Sequence, residues 1–166
     1  MSTAGLDEFL QVRPRLFRIA YRITGNRHEA EELVQDVWVR WQRTDRTAVT
    51  DPQAFLATTV SRLAINVVQS ARRRHETAVG PWLSDERVAP GPDPQLSVEN
   101  QEAFEAAVQL LTETLSPAER ATYVLREGFD YPYRQIAELL RIGAPNARQL
   151  VKRARNRLAE LAPTAG

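Results

Sequence analysis

Cysteine is absent from the 166 residues, which excludes disulfides and thiolate metal sites and suits a reducing cytoplasm. The only two histidines, His28 and His75, lie far apart in sequence. No glycine-rich phosphate loop occurs either, so no catalytic set is spelled out and neither enzyme activity nor a cofactor is expected. No apolar run approaches the length of a membrane span, and no signal peptide opens the chain, so membrane insertion is not expected and a cytoplasmic location is. Lysine is almost missing: of 22 basic residues only Lys152 is one. Such arginine bias reflects a GC-rich genome and says little about mechanism. The net charge of +1 conceals segregation. Residues 1–74 sum to +4, residues 75–114 to −7 and residues 115–166 to +4. Two basic ends around an acidic middle suggest two nucleic-acid-facing modules and a separate connector.

The sharpest pattern lies between Asp130 and Leu158. Pro132 can open a helix, where a missing N–H costs nothing, and Ile136, Ala137, Leu139 and Leu140 give that helix an apolar side. Gly143 is predicted to supply a left-handed turn, and Pro145 to open a second helix. In that helix Ala147, Leu150, Val151, Ala154 and Leu158 recur with the period of a buried stripe. Arg148, Gln149, Lys152 and Arg153 fall opposite, with Arg155 and Arg157 close by, and no acidic residue stands between Ile142 and Arg157. A helix-turn-helix whose second helix is packed on one face and basic on the other is shaped for a DNA major groove. A solvated basic helix is the plainer alternative.

The N-terminal part is predicted to form three helices. The first covers about Leu6 to Ile23, with a kink at Pro14. Thr24-Gly25-Asn26 ends it, and Asn26 can cap the second with Glu29 at the third helical position. The second buries Ala30, Leu33, Val34, Val37 and Trp41, while Trp38 is open to a core or a contact role. The third starts at Asp51-Pro52 and runs through Phe55, Val60, Leu63, Ala64, Val67 and Val68 to Arg72-Arg73-Arg74. From Glu76 to Leu96 the period dissolves among Gly80-Pro81, Pro90-Gly91-Pro92 and Asp93-Pro94, as in a flexible linker. Ser97 precedes an amphipathic helix through Phe104, Val108 and Leu111, and Ser116-Pro117-Ala118-Glu119 is a capping box with proline inside it. The expected fold is all-α: two small helical domains, residues 1–75 and 97–162, joined by an acidic linker over 76–96.

Together these segments resemble a bacterial RNA polymerase sigma factor of the extracytoplasmic-function (ECF) group, from about Leu6 to Leu161. Leu16-Phe17-Arg18-Ile19-Ala20-Tyr21-Arg22-Ile23-Thr24-Gly25 and Ala30-Glu31-Glu32-Leu33-Val34-Gln35-Asp36-Val37-Trp38 look like sigma region two. Phe55 to Arg74 looks like its promoter-melting part. Leu115-Ser116-Pro117-Ala118-Glu119-Arg120 and the helix-turn-helix look like region four. Val79-Gly80-Pro81-Trp82-Leu83 and Asn146-Ala147-Arg148-Gln149-Leu150 look like the ECF subgroup that carries a SnoaL-like domain after region four. With the sequence ending at Gly166, that domain is expected to be absent, and Ser84-Asp85 replaces the usual proline-rich continuation after Trp82-Leu83.

The resemblance implies roles for particular residues. Glu32, Gln35 and Asp36, on the side of the second helix away from Leu33, Val34 and Val37, would grip the largest subunit of core RNA polymerase. By spacing alone they are a solvated polar face. Arg62 and Asn66, four apart on one helix face, would help capture the unpaired minus-ten promoter element. The loop from Thr47 to Gln53 would form a flipped-base pocket, without a residue assignment. Arg72, Arg73 and Arg74 would neutralise phosphates at the upstream edge of the melted region, or simply suit the helix dipole. Arg148, Gln149, Lys152 and Arg153 would read the minus-thirty-five element, with Tyr133 and Arg134 holding phosphate. The linker, about 20 residues, could stretch roughly 70 Å, near two turns of DNA. The implied partners are core RNA polymerase, promoter DNA and an anti-sigma factor not identified by sequence, and the free chain is expected to be a monomer. The rival reading is a self-sufficient helix-turn-helix regulator that binds duplex DNA without polymerase.

Overall fold

The computed structural model describes residues 3–77 and 98–161, and of residues 3–4, 72–77 and 98–99 the backbone alone. Seven α-helices follow one another: α1 Thr3–Thr24, α2 Arg27–Arg43, α3 Pro52–Thr77, α4 Val98–Thr114, α5 Pro117–Tyr123, α6 Tyr133–Leu140 and α7 Ala144–Leu161. A 3₁₀ turn, Arg46–Ala48, joins α2 to α3, and a single π turn, Val124–Gly128, prolongs α5. Among the described residues there is no strand, and no helix is long and apolar enough to cross a membrane. Helix α3 continues to Thr77, two residues into the stretch assigned to the linker. The remainder of that stretch, Val79-Gly80-Pro81-Trp82-Leu83 within it, and Ser97 lie outside the described residues.

Local chemistry sets the helix ends. Gly25 adopts φ +71°, a left-handed conformation that a side chain resists, and its N–H closes α1 on the Tyr21 carbonyl. Asn26 then accepts the Glu29 N–H through its side chain at 3.0 Å, filling one of the unpaired donors of α2. Asn26→Ala is expected to destabilise the protein by about 1 kcal/mol, read as a melting temperature lower by roughly 2–4 °C. Asp51 caps α3 through Ala54 N–H at 3.1 Å. At α5 both halves of the capping box close: Glu119 N–H donates to Ser116 Oγ at 3.2 Å, and Ser116 N–H to Glu119 Oε1 at 2.9 Å. Pro14 is carried within an unbroken α1.

The first module packs α1 against α3 and α2. Leu16, Ile19, Ala20 and Ile23 meet Ala30, Leu33, Val34 and Val37 of α2 and Leu56, Val60, Ala64, Ile65 and Val68 of α3. Trp41 is 1% exposed, and its indole N–H donates to the Gly5 carbonyl at 2.8 Å. Trp38 is half-buried with its ring 4.9 Å from that of Phe9. Phe55 is 39% exposed; the inward stripe of α3 begins one residue later, at Leu56, and Phe55 lies beside Trp41. In the second module Val108, Leu115, Ala121, Val124 and Leu125 are buried, with α4 packed on α5, and α5 and α6 on α7. The buried side chains of the two modules form one continuous cluster.

Candidate nucleic-acid and polymerase interfaces

Helices α6 and α7 form the helix-turn-helix, but the turn is built differently from the expectation. Arg141, not Gly143, is the left-handed residue, with φ 58° and ψ 46°. Its N–H bonds the Glu138 carbonyl and that of Ile142 bonds Ala137, so the last carbonyls of α6 are satisfied while Ile142 turns towards the core. That hydrophobic anchor fixes where the chain reverses, which glycine at 143 does not. Pro132 stands just before α6 as its cap residue, and Pro145 in the first turn of α7.

Ala147, Val151 and Ala154 of α7 are fully buried, and Leu150 and Leu158 half-buried. Arg148, Gln149, Lys152 and Arg153 are exposed on the other side. Arg134 is exposed at the start of α6, whereas Tyr133 is half-buried and its ring carries two guanidinium groups. Arg126, on the π turn, lies 4.1 Å from the ring centroid and Arg148 5.8 Å from it. Arg126 also donates to the Tyr131 carbonyl at 3.2 Å. Both guanidinium groups thus lie within cation–π range of the Tyr133 ring. Arg155 and Arg157 take no part in the outward face: Arg155 pairs with Glu127, and Arg157 Nε lies 3.3 Å from Glu119 Oε2.

On α3, Arg62 and Asn66 are both exposed on one face. Arg72, Arg73 and Arg74 belong to the helical C-terminal end of α3, and their side chains lie outside the described residues. One turn before Arg62, Thr58 Oγ1 accepts a hydrogen bond from Gln135 Nε2 of α6 at 3.1 Å. Beside that bond a cavity of about 180 Å³ is lined by Asp51, Gln53, Ala54, Thr58, Tyr131 and Gln135 among others. On α2, Glu32, Gln35 and Asp36 are exposed. Glu32 lies 2.9 Å from His28 Nε2 and Asp36 3.2 Å from Arg40 Nε, each pair one turn apart. The face is therefore charged in both signs. Among the described residues no group of three or more His, Cys, Asp or Glu could hold a metal ion.

Sequence reasoning missed a third set of residues, those at which the modules meet. The Arg22 guanidinium lies between the rings of Phe104 and Phe129, at 5.0 and 5.5 Å. Burial and the neighbouring Arg18 hold its pKa below the ordinary arginine value. Arg27 pairs with Glu105 at 2.8 Å, and Tyr21 Oη donates to the same carboxylate. Arg120, 6% exposed, donates to the Ile23 carbonyl at the end of α1 at 2.7 Å. Burial lowers its pKa as well, and the negative end of α1 offsets part of that cost. These residues sit far apart in sequence, and spacing within one helix carries no signal for them.

Residues 9–74 match the family model for sigma-70 region 2, and residues 95–158 that for sigma-70 region 4. The ECF RNA polymerase sigma factor SigJ of Mycobacterium tuberculosis is 40% identical over 152 residues, covering 90% of this chain and 48% of the relative. The probable ECF RNA polymerase sigma factor SigI of the same species is 32% identical over 150 residues, covering 89% and 52%. The crystal structure of Mycobacterium tuberculosis SigJ superposes with a TM-score of 0.61 at 34% identity, over 95% of this chain and 54% of that one. The sigma factor RpoE of Bartonella quintana, solved in complex with the anti-sigma factor NepR, gives 0.70 at 24% identity over 99% and 100%, a likeness of fold. The chain belongs to the sigma-70 family, among its ECF sigma factors. It spans about half the length of the curated relatives it matches.

Proposed function

We propose that this chain directs core RNA polymerase to particular promoters and starts transcription there, without chemistry of its own. The observation that carries the reading is α7, with Ala147, Val151 and Ala154 packed inward and Arg148, Gln149, Lys152 and Arg153 presented outward. Arginine can pair bidentately with guanine, and glutamine with adenine, on major-groove base edges. In this reading residues 97–162 engage the upstream duplex, and residues 1–75 engage polymerase and the melted strand. Arg62 and Asn66 contact unpaired bases, Arg72, Arg73 and Arg74 contact phosphate, and binding of extruded bases offsets the cost of unpairing a few steps. Arg134 holds upstream phosphate, and the protein works in the cytoplasm beside polymerase. The test is transcription from a promoter library by core polymerase with the purified chain. Selective initiation is expected. Failure to initiate, together with tight duplex binding by the chain alone, points to the stand-alone regulator.

The polymerase contact is assigned to Glu32, Gln35 and Asp36. Reversing Glu32 and Asp36 to lysine leaves the buried stripe of α2 untouched. It also juxtaposes like charges with His28 when protonated and with Arg40. The double variant is expected to fold, by circular dichroism, and to bind core polymerase about tenfold or more weakly, since like-charge juxtaposition at an interface is costly. Unchanged co-purification with polymerase removes the assignment.

A further inference from the structure

We propose that Arg126 is a positioning residue for promoter reading: through the Tyr133 ring it aims Arg148 at its base, without meeting DNA itself. The inference rests on the promoter-directing function proposed above and deepens the role given there to α7. Arg126 stands on the π turn, outside both helices of the helix-turn-helix. With i→i+5 bonding, the side chains of that turn leave the register that α5 would give them. The turn also holds the entry to α6. Tyr131 N–H donates to the Leu125 carbonyl at 3.0 Å, and Arg126 Nη1 donates to the Tyr131 carbonyl at 3.2 Å. Both backbone groups of Tyr131 are thus engaged by consecutive residues of the turn, and its side chain is buried. Pro132 follows with φ −66°, and its carbonyl accepts the Ile136 N–H at 3.1 Å. Tyr133, the first residue of α6, therefore leaves the turn in a set direction.

The same Arg126 guanidinium lies 4.1 Å from the centroid of the Tyr133 ring, well inside cation–π range. Arg148 reaches that ring from α7, at 5.8 Å. Arg126 and Tyr133 are half-buried and Arg148 is exposed, so the chain of contacts runs from the interior outwards. An exposed arginine loses rotamer freedom when it settles on a base edge, and a ring contact already made reduces that loss. The benefit falls on one base alone, the one Arg148 reads. Arg126 has one N–H on a carbonyl and its cation over a ring, so α6 engages it before any phosphate is offered.

The test is initiation by core polymerase with the full chain on promoters randomised over the upstream element. Arg148→Ala serves as the reference and defines the base position at stake. Tyr133→Leu and Arg126→Gln are each expected to lower discrimination at that position about two- to fivefold, the range of an exposed cation–π contact. The other positions are expected to rank as in wild type. Tyr133→Phe keeps the ring and is expected to keep the wild-type discrimination. In the Arg148→Ala background neither Tyr133→Leu nor Arg126→Gln is expected to lower discrimination there any further, since the three act in series. Binding of the purified chain to the upstream duplex, across about 50 to 200 mM salt, is expected to show the same slope in Arg126→Gln as in wild type. A slope shallower by about 0.9, with all promoters weakened alike, makes Arg126 a phosphate contact and overturns the proposal. Equal loss at every position in both variants overturns it too, because a damaged fold does not single out one base. If Arg148→Ala changes the ranking but Tyr133→Leu and Arg126→Gln do not, only the positioning role fails. If Arg148→Ala itself keeps the wild-type ranking, the reading role of α7 fails and the proposal with it.

Discussion

Arg148→Ala is expected to erase preference at one upstream base position, a loss of about 1–3 kcal/mol or roughly 5- to 150-fold in discrimination. The expectation rests on how Arg148 is held. Its side chain is exposed, yet its guanidinium lies against the Tyr133 ring, whose other contact is Arg126. A planar guanidinium within cation–π range of an aromatic ring suits bidentate recognition of a guanine edge. Gln149→Ala should act in the same way at an adenine. Lys152→Ala, by contrast, removes a point charge and should weaken all sequences alike. Transcription from a promoter panel separates the two outcomes, since one changes the ranking of promoters and the other only the level. If Arg148→Ala and Gln149→Ala both keep the wild-type ranking, α7 is not the reading element.

The isolated chain is expected to bind duplex promoter DNA weakly at physiological salt, as a monomer, and to footprint it only with core polymerase present. Of the cations on α7, Arg155 and Arg157 are already committed to Glu127 and Glu119. Arg148, Lys152 and Arg153 of α7 and Arg134 of α6 remain for DNA, about four contacts. Log affinity should then fall against log salt with a slope near −3.6, so that raising salt from about 50 to 200 mM costs roughly 150-fold. An initiation factor tolerates this because polymerase holds both modules on one promoter and raises their effective concentration. A repressor normally gains affinity by dimerising on two half-sites. Nanomolar, sequence-specific binding by the chain alone at physiological salt would reverse the functional reading in favour of such a regulator.

What the sequence made legible was local. Asn26, Asp51 and the Ser116–Glu119 box lie within three residues of the groups they cap, and each does what its spacing predicts. The inward residues of α2 and α7 follow the helical period for the same reason. Errors begin where a neighbour elsewhere in the chain decides. Gly143 is the residue that tolerates a left-handed turn best, but Ile142 must reach the core, and that puts the reversal at Arg141. Nothing in the period of α5 announces a π turn at Val124–Gly128, which closes with the Tyr131 N–H on the Leu125 carbonyl. Arg120 reads as a surface residue of α5 until the end of α1 is brought against it. Arg155 and Arg157 read only as lying close to the basic face, and their acidic partners, about 28 and 38 residues away in the chain, stand beyond any helical periodicity.

The single carboxylate of Glu119 has a mechanical consequence. One oxygen receives the Ser116 N–H that starts α5, and the other faces Arg157 near the far end of α7. The reading helix is thus moored at its trailing end to the same group that fixes where its supporting helix begins. Arg148 lies nine residues from Arg157, about 13 Å along the axis at 1.5 Å per residue. Over that lever arm a displacement of about 1 Å at the mooring swings the helix by roughly 4°. Aim at the base edges is therefore set from behind, at a point that never meets DNA.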